Sequence, residues 1–413
     1  MTRRRRWLAA VVVAVVVGAS CAGSDEGGPS GGEASEAGEA GSGQEVQEVE
    51  IGDLPTDVRR VPEPLPGTGP GDLVALAPRR APDVPAGARA WDLLYRSEGV
   101  DGEPVAVSGV VYAPASPPPE EGRPVLSWAH GTVGVADDCA PSRTGVRVPE
   151  LARLLEAGFV VAATDYEGLG TPGVHPYLVG ASAGRSVLDA ARAAARIEGT
   201  GAGSEVVALG HSQGGHAALF AGILAPDHAP DLDLLGVVAS APAAELSTLL
   251  RSAVPISLAF GLVASAIHSY AETYDELVLG DVLTPAAIAR LGVVDQECLQ
   301  GVTNAYADQP TSAWLVTNPL DVEAWAARVE QNEPASAAIP APVLVVQGAT
   351  DFVVPASTTD TAIERLCAGG NTVDYRRYPG ADHSEVLGEA GPEILEWVAA
   401  RVARVPPGST CSG

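Results

Sequence analysis

Lysine is absent from this chain of 413 residues, so its 25 basic residues are all arginines, set against 52 Asp and Glu for a formal net charge of −27. A surface of that sign repels phosphate backbones, which excludes nucleic acid as a partner class. The missing lysine carries no mechanistic reading. Metal patterns are missing as well: the seven His and five Cys form neither an H-E-x-x-H run nor a paired Cys/His spacing, so no metal and no other cofactor is expected. Internal repeats are absent. So is an apolar run of bilayer length, because the stretch Trp7 to Val17 is too short to span.

That stretch follows Arg3 to Arg6, and the pair reads as the positive and apolar regions of an export signal over residues 1–20. Gly18-Ala19-Ser20 precede Cys21, and Ala-Ser-Cys resembles the end of a bacterial lipoprotein signal, with Gly18 where that pattern usually has Leu. Two outcomes stay open: lipidation of Cys21, which anchors the chain to the outer face of the cell membrane, and ordinary cleavage with release. Residues 1–20 hold four Arg and no acid, so their removal takes the net charge from −27 to −31. Residues 21–54, rich in Gly, Ser, Glu and Ala, read as a disordered, self-repelling linker. Cys139, Cys298, Cys367 and Cys411 then form an even set outside the cytosol. Two disulfides are expected, and three pairings are possible.

Pro and Gly punctuation between Pro55 and Pro85 suggests a wrapping segment. After it come short strand-like runs at Val105–Tyr112, Val125–Trp128, Phe159–Ala163, Val206–Leu209, Leu235–Ala239, Val343–Val346 and Val373–Tyr378. Helical patterns at Val148–Ala157, Arg185–Ile197 and His216–Ala225 separate several of them. Alternation of this kind predicts an α/β fold with a mostly parallel sheet covered on both faces. It stops between Ala239 and Val343, so residues 55–241 and 339–413 are expected to form the core and 242–338 an inserted helical cap. Within that cap the uncharged stretch Ser252–Ile267 reads either as a buried helix or as the lining of an acyl-binding site.

Val206-Val207-Ala208-Leu209 runs directly into Gly210-His211-Ser212-Gln213-Gly214-Gly215 and then into an Ala/Leu-rich stretch. Strand, sharp turn and helix with a serine at the apex is the nucleophile elbow of an α/β-hydrolase, and the glycines let strand and helix approach. Gly180-Ala181-Ser182-Ala183-Gly184 has the same spacing but no clean strand before it, and Ser182 is read instead as a helix cap. A serine hydroxyl needs a base to take its proton and a third group to orient that base. Asp351, just after the run Val343–Val346, and His383, in the loop after Val373–Tyr378, follow Ser212 in the chain order of this fold. Ser212, His383 and Asp351 are therefore the expected nucleophile, acid/base and orienting carboxylate. Asp382 and Asp360 are weaker alternatives for the acid. His175, His228 and His268 are read as structural hydrogen-bonding residues, and His211 and His216 as packing or polar contacts beside the elbow.

The oxyanion of acyl transfer needs donors. The N–H of Gln213, at a helix start, is one. The N–H of Thr132 or of Val133, after the strand-like Val125–Trp128, is the second.

With these residues laid out, the chain from about Trp91 to Cys411 resembles the secretory lipase family of yeast lipase A-like α/β-hydrolases, in particular its actinobacterial branch. The resemblance rests on His130-Gly131-Thr132 with Cys139-Ala140-Pro141-Ser142, on Asp165-Tyr166-Glu167-Gly168-Leu169-Gly170 with His175-Pro176-Tyr177, and on the elbow. It implies an α/β-hydrolase core with a helical cap, ester and triacylglycerol hydrolysis, and disulfides joining Cys139 with Cys298 and Cys367 with Cys411. The expected protein is a secreted or surface-anchored carboxylic ester hydrolase acting on lipid esters. Acyl transfer on the same scaffold, a catalytically silent surface lipoprotein and peptidase activity are the alternatives.

Overall fold

The structure is a computed structural model that describes residues 54–411. The signal region, Cys21 and the acidic linker up to residue 53 lie outside the described residues. Nine strands form one sheet in the order β1-β2-β3-β5-β4-β6-β7-β8-β9. β5, β4, β6, β7, β8 and β9 run parallel, while β1, β2 and β3 add an antiparallel flank.

The central strands are near-continuous apolar runs because both faces of the sheet are covered. In β4 (Arg123–Ala129) and β8 (Val343–Gly348) every residue but one is buried. Helices Gly180–Ala195 and Gln213–His228 close one face, packing Ala183, Val187, Ala217 and Ala221 against Ala208, Val237 and Val345. On the other face Gly391–Val402 lays Ile394, Trp397 and Val398 over Val207, Val238 and Leu344.

β3 (Pro104–Pro114), β5 (Val160–Glu167), β6 (Ala202–His211), β7 (Asp233–Ser240) and β9 (Val373–Tyr378) coincide with runs expected from sequence. β1 (Leu73–Pro78) and β2 (Ala88–Glu98) do not. The segment read as a wrapping region in fact supplies edge strand β1, which buries Leu73 to Leu76 against β2. Two proline- and glycine-rich turns hide these strands, and Arg89, Asp92 and Arg96 interrupt the apolar pattern of β2, which only pairing on both sides makes regular.

Between β7 and β8 the chain contributes no strand to the sheet. Helices Leu246–Ala253, Phe260–Thr273, Leu299–Tyr306 and Glu323–Gln331, joined by shorter turns, close around Phe260, Ile267, Tyr306, Trp314 and Trp325. The uncharged stretch at 252–267 is not one helix. A break at Val254-Pro255-Ile256 and a short turn at Ser257–Ala259 separate two helices.

Two disulfides hold this arrangement, Cys139–Cys298 and Cys367–Cys411, with Cα separations of 5.5 and 5.3 Å. They are the pairs that the family resemblance implies. The first closes a span of 159 residues and ties the loop after β4 to the helical insertion. Loop-closure entropy assigns such a crosslink roughly 5 kcal/mol. Cys139→Ser/Cys298→Ser is expected to lower the urea midpoint more than Cys367→Ser/Cys411→Ser, whose span of 44 residues is worth about 4 kcal/mol by the same rule. Equal midpoints for the two double variants would contradict this.

Candidate active site

All four loops that carry candidate residues leave the carboxyl edge of the parallel strands. β4 pairs β6 out to Ala129 opposite Gly210, and β6 pairs β7 out to His211 opposite Ser240. The chain then turns abruptly at Ser212, whose φ of +57° and ψ of −116° lie in a region that side-chain-bearing residues avoid. The turn is possible because its neighbours are glycines. A Cβ on Gly210 would sit 1.9 Å from the Gly214 oxygen, and one on Gly214 would sit 1.9 Å from the Ala129 oxygen. The strained turn is pinned by Ser212 N–H donating to Ser240 O at 2.8 Å and by Ser212 O accepting from Ala243 N at 3.2 Å.

His383 Nε2 lies 3.0 Å from Ser212 Oγ, and His383 Nδ1 lies 2.7 Å from Asp351 Oδ2. A carboxylate only accepts, so the proton sits on Nδ1 and Nε2 is left to accept from the serine hydroxyl. Asp351 is buried. Burial pushes its carboxyl up, but the His383 hydrogen bond and charge, with the N–H groups of Val354 and Val353, hold it below its ordinary value of 3.8. Gln347 Nε2 donates to the same Asp351 Oδ2 at 3.0 Å and to Val354 O at 3.0 Å, while Asp351 Oδ1 accepts from Val353 N and Val354 N at 2.8 Å, fixing the loop. Asp382 and Asp360 are placed elsewhere. Asp382 caps its own loop through Ser384 and Glu385, and Asp360 binds Tyr375 and Arg377.

Ser182, read as a helix cap, is not one. It lies buried inside Gly180–Ala195, whose cap position is Val179, and its hydroxyl donates to Glu167 Oε2. His211 packs its ring 4.7 Å from that of His383 and reaches Ser240 Oγ at 3.2 Å. Burial and the neighbouring imidazole lower its pKa to about 4. His216 is buried, with Nε2 donating to Asn332 O, and His268 and His228 pair with Asp295 and Asp189.

Gln213 begins a helix with no side-chain cap over its first turn, so its N–H groups face outward at the positive end of the dipole. Gly131 and Thr132 lie beside Ser212, and a Cβ on Gly131 would be 3.7 Å from that of Ser212. Val133 instead packs against Ala136, Cys139 and Leu169. The residues 165–177, quoted for the resemblance without a chemical role, wrap behind this loop. Tyr166, at φ +71°, donates its hydroxyl to His130 O at 2.8 Å, and Asp165 accepts from Ser108 Oγ at 2.6 Å and Ser142 N at 2.9 Å. Sequence spacing held no signal for these contacts.

Ser212, His383, His211 and Thr132 open into a cavity of about 360 Å³. Its walls come largely from the helical insertion: Leu246, Leu249, Leu250, Leu262, Ile267 and Trp325, with Val353 and Val354 from the Asp351 loop. No Asp, Glu or Arg lines it. Within the 252–267 stretch Val263 and Ile267 are buried in the insertion's core and also line the cavity. Among the described residues no group of three or more His, Cys, Asp or Glu is placed to hold a metal ion.

The fold has solved counterparts. Candida antarctica lipase A in its closed state superposes with a TM-score of 0.72 at 20% identity, covering 83% of this chain and 84% of the other. A rice cell wall degrading esterase from Xanthomonas oryzae gives 0.66 at 22% identity, over 81% and 98%. In sequence, the chain is 26% identical over 355 residues to a probable inactive lipase of Mycobacterium tuberculosis, spanning 78% of this chain and 76% of that protein. It is 25% identical over 346 residues to a lipase A of Arthroderma benhamiae, spanning 76% and 71%. The family model described as secretory lipase matches residues 137–410, from the turn after β4 to the last disulfide. The chain belongs to the secretory lipase family.

Proposed function

We propose that the protein hydrolyses carboxylic esters of lipids, acylglycerols among them, through an acyl-enzyme. The observation that carries this is the hydrogen-bonded line Ser212–His383–Asp351 opening into an apolar cavity. Ser212 Oγ adds to the ester carbonyl carbon as its proton passes to His383 Nε2. The oxyanion is held by the N–H groups of Gln213 and Thr132. Collapse breaks the bond to the leaving oxygen, which takes the proton from His383 and departs as alcohol. Water repeats the sequence on the acyl-enzyme and releases the acid. Asp351 stays ionised throughout, stabilising the imidazolium. Walls without charged side chains suit an acyl chain and disfavour charged peptide side chains.

The arginine-led apolar stretch and Cys21 support export, with the acidic linker holding residues 55–413 away from the membrane if Cys21 is lipidated. Membership in a family described as secretory points the same way. Residues 242–338 act on this reading as the cap that roofs the site.

An intact-mass assay with a fluorophosphonate tests the central claim. One adduct is expected, mapping to Ser212, together with hydrolysis of p-nitrophenyl esters. A folded protein that takes up no probe would instead support the catalytically silent reading, a possibility that similarity to a probable inactive lipase of Mycobacterium tuberculosis also raises.

A further inference from the structure

Ser212 is held by its own turn, but the two oxyanion residues are not held by each other. Thr132 follows β4 and Gln213 follows β6, and the pairing of those strands ends at Ala129 and Gly210. Beyond that register the relative position of the two loops must be set by tertiary contacts. A transition-state site tolerates little slack, since a misplacement of about 1 Å can cost roughly 100-fold in rate.

One tripeptide reaches both. His175 Nδ1 lies 2.8 Å from Glu167 O, and a carbonyl only accepts, so Nδ1 carries the ring proton. His175 Nε2 is thereby an acceptor, and Gln213 Nε2 donates to it at 2.8 Å. Two residues on, Tyr177 OH lies 2.9 Å from Thr132 Oγ1. The two anchors are spaced rigidly: Pro176 lies between them, and Tyr177 N–H donates to His175 O at 2.8 Å. Tyr166 braces the same loop from behind. Its ring stacks on His175 at 5.6 Å and its hydroxyl holds His130 O, two residues before Thr132. Gly168 permits the fold-back, because a Cβ there would lie 2.7 Å from His175 N.

We propose that His175 and Tyr177 are positioning residues that clamp the Gln213 and Thr132 side chains and so fix the spacing of the two oxyanion donors. The proposal rests on the ester-hydrolase reading above. His175 is buried behind the cavity, while the Tyr177 and Thr132 side chains reach the cavity wall. The clamp acts by keeping two backbone N–H groups aimed at one point, and its effect belongs to the transition state and not to binding of the ester. Burial lowers the His175 pKa to about 4, so the ring remains the neutral acceptor this geometry needs.

The test uses the secreted chain with both disulfides and compares wild type with Tyr177→Phe, His175→Asn, Thr132→Val and Thr132→Val/Tyr177→Phe. Tyr177→Phe removes one oxygen and keeps the ring. His175→Asn keeps a donor for Glu167 O but is too short to reach Gln213. Each is expected to lower kcat on p-nitrophenyl butyrate by 10- to 100-fold with KM within twofold. The Ki of a trifluoromethyl ketone, which forms the tetrahedral adduct, should rise by the same factor, while the Ki of a long-chain alcohol stays put. Thr132→Val keeps the backbone donor but already removes the hydroxyl that Tyr177 holds, so adding Tyr177→Phe to it should cost little more. Folded Tyr177→Phe with unchanged kcat and unchanged ketone Ki overturns the clamp, and it decides alone if His175→Asn does not fold. Fully additive losses in the double variant also overturn it. Wild type that takes no fluorophosphonate at Ser212 overturns the hydrolase reading itself, which separates the two failures.

Discussion

Ser212→Ala is expected to lower kcat for ester hydrolysis by about 10⁴- to 10⁶-fold while leaving the fold intact. The hydroxyl is the only atom lost. It donates to His383 and to no other group among the described residues. The backbone at 212 has φ +57°, a conformation that alanine adopts at much the same cost as serine, and its N–H and C=O keep their partners Ser240 and Ala243. Stability should therefore stay within about 1 kcal/mol of wild type. Residual turnover near 10³-fold over water is expected from the Gln213 and Thr132 donors and from cavity binding. The measurements are kcat by p-nitrophenyl ester assay and thermal unfolding on the same samples. Activity retained within tenfold would remove Ser212 from the mechanism.

Acid should unfold the protein well before its carboxylates are protonated. His175 and His216 are buried and His211 is half-buried at the cavity wall, and desolvation lowers each to about 4 from an ordinary 6.5. His130 is shifted the same way by burial. An unfolded chain takes up protons on these rings below about pH 6.5, while the folded chain does so only near 4. The unfolded state thus binds more protons across that window. Stability is complete above pH 6.5 and is lost as the pH falls toward 4, by about 2 kcal/mol per ring at pH 5 and about 3 by pH 4. Three rings together amount to a large fraction of a typical 5–15 kcal/mol. Glu167 and Glu245 oppose this, since burial holds their carboxyls above the ordinary value and protonation relieves them. Their relief sets in as the pH falls through their raised values and is complete below the ordinary 4.5, so it offsets part of the histidine loss in the same window. Urea unfolding at pH 7 and pH 5 checks the expectation. His216→Gln, at a ring whose Nδ1 is buried without a partner, should flatten the pH dependence by about one proton. Equal stability at the two pH values would contradict it.

The local chemistry of the site was legible along the chain. The elbow reads from Val206 to Gly215 because strand propensity, glycine spacing and an Ala/Leu run are nearest-neighbour properties. Asp351 and His383 stood out by their places after β8 and β9, while Asp360 ranked lower for lying inside a helical pattern and Asp382 for being adjacent to His383. Ser182 shows the limit. Spacing marked it as an elbow or a cap, and its actual partner, Glu167, lies at the end of β5.

β1 and β2 show the same limit for the fold. Leu73–Pro78 has the apolar content of a strand, but prolines and glycines around it outweigh that signal until β2 offers a partner edge. His175 was read as a structural histidine, which is true of its Nδ1 bond to Glu167 and incomplete for its Nε2 bond to Gln213.

The sequence by itself determined which residues could carry ester chemistry, that a mostly parallel sheet would be covered on both faces, and that an apolar insertion would interrupt the alternation between Ala239 and Val343. Tertiary structure decided the rest. Ser212 and His383 are 171 residues apart in sequence and 3.0 Å apart in space, and only the shared carboxyl edge of the sheet brings them together. The same holds for the cavity walls, for the two cysteine pairs among three possible, and for the clamp from His175 and Tyr177 onto separate loops. Periodicity and spacing report what a residue's neighbours along the chain require, whereas a contact between distant segments depends on the packing of everything between them.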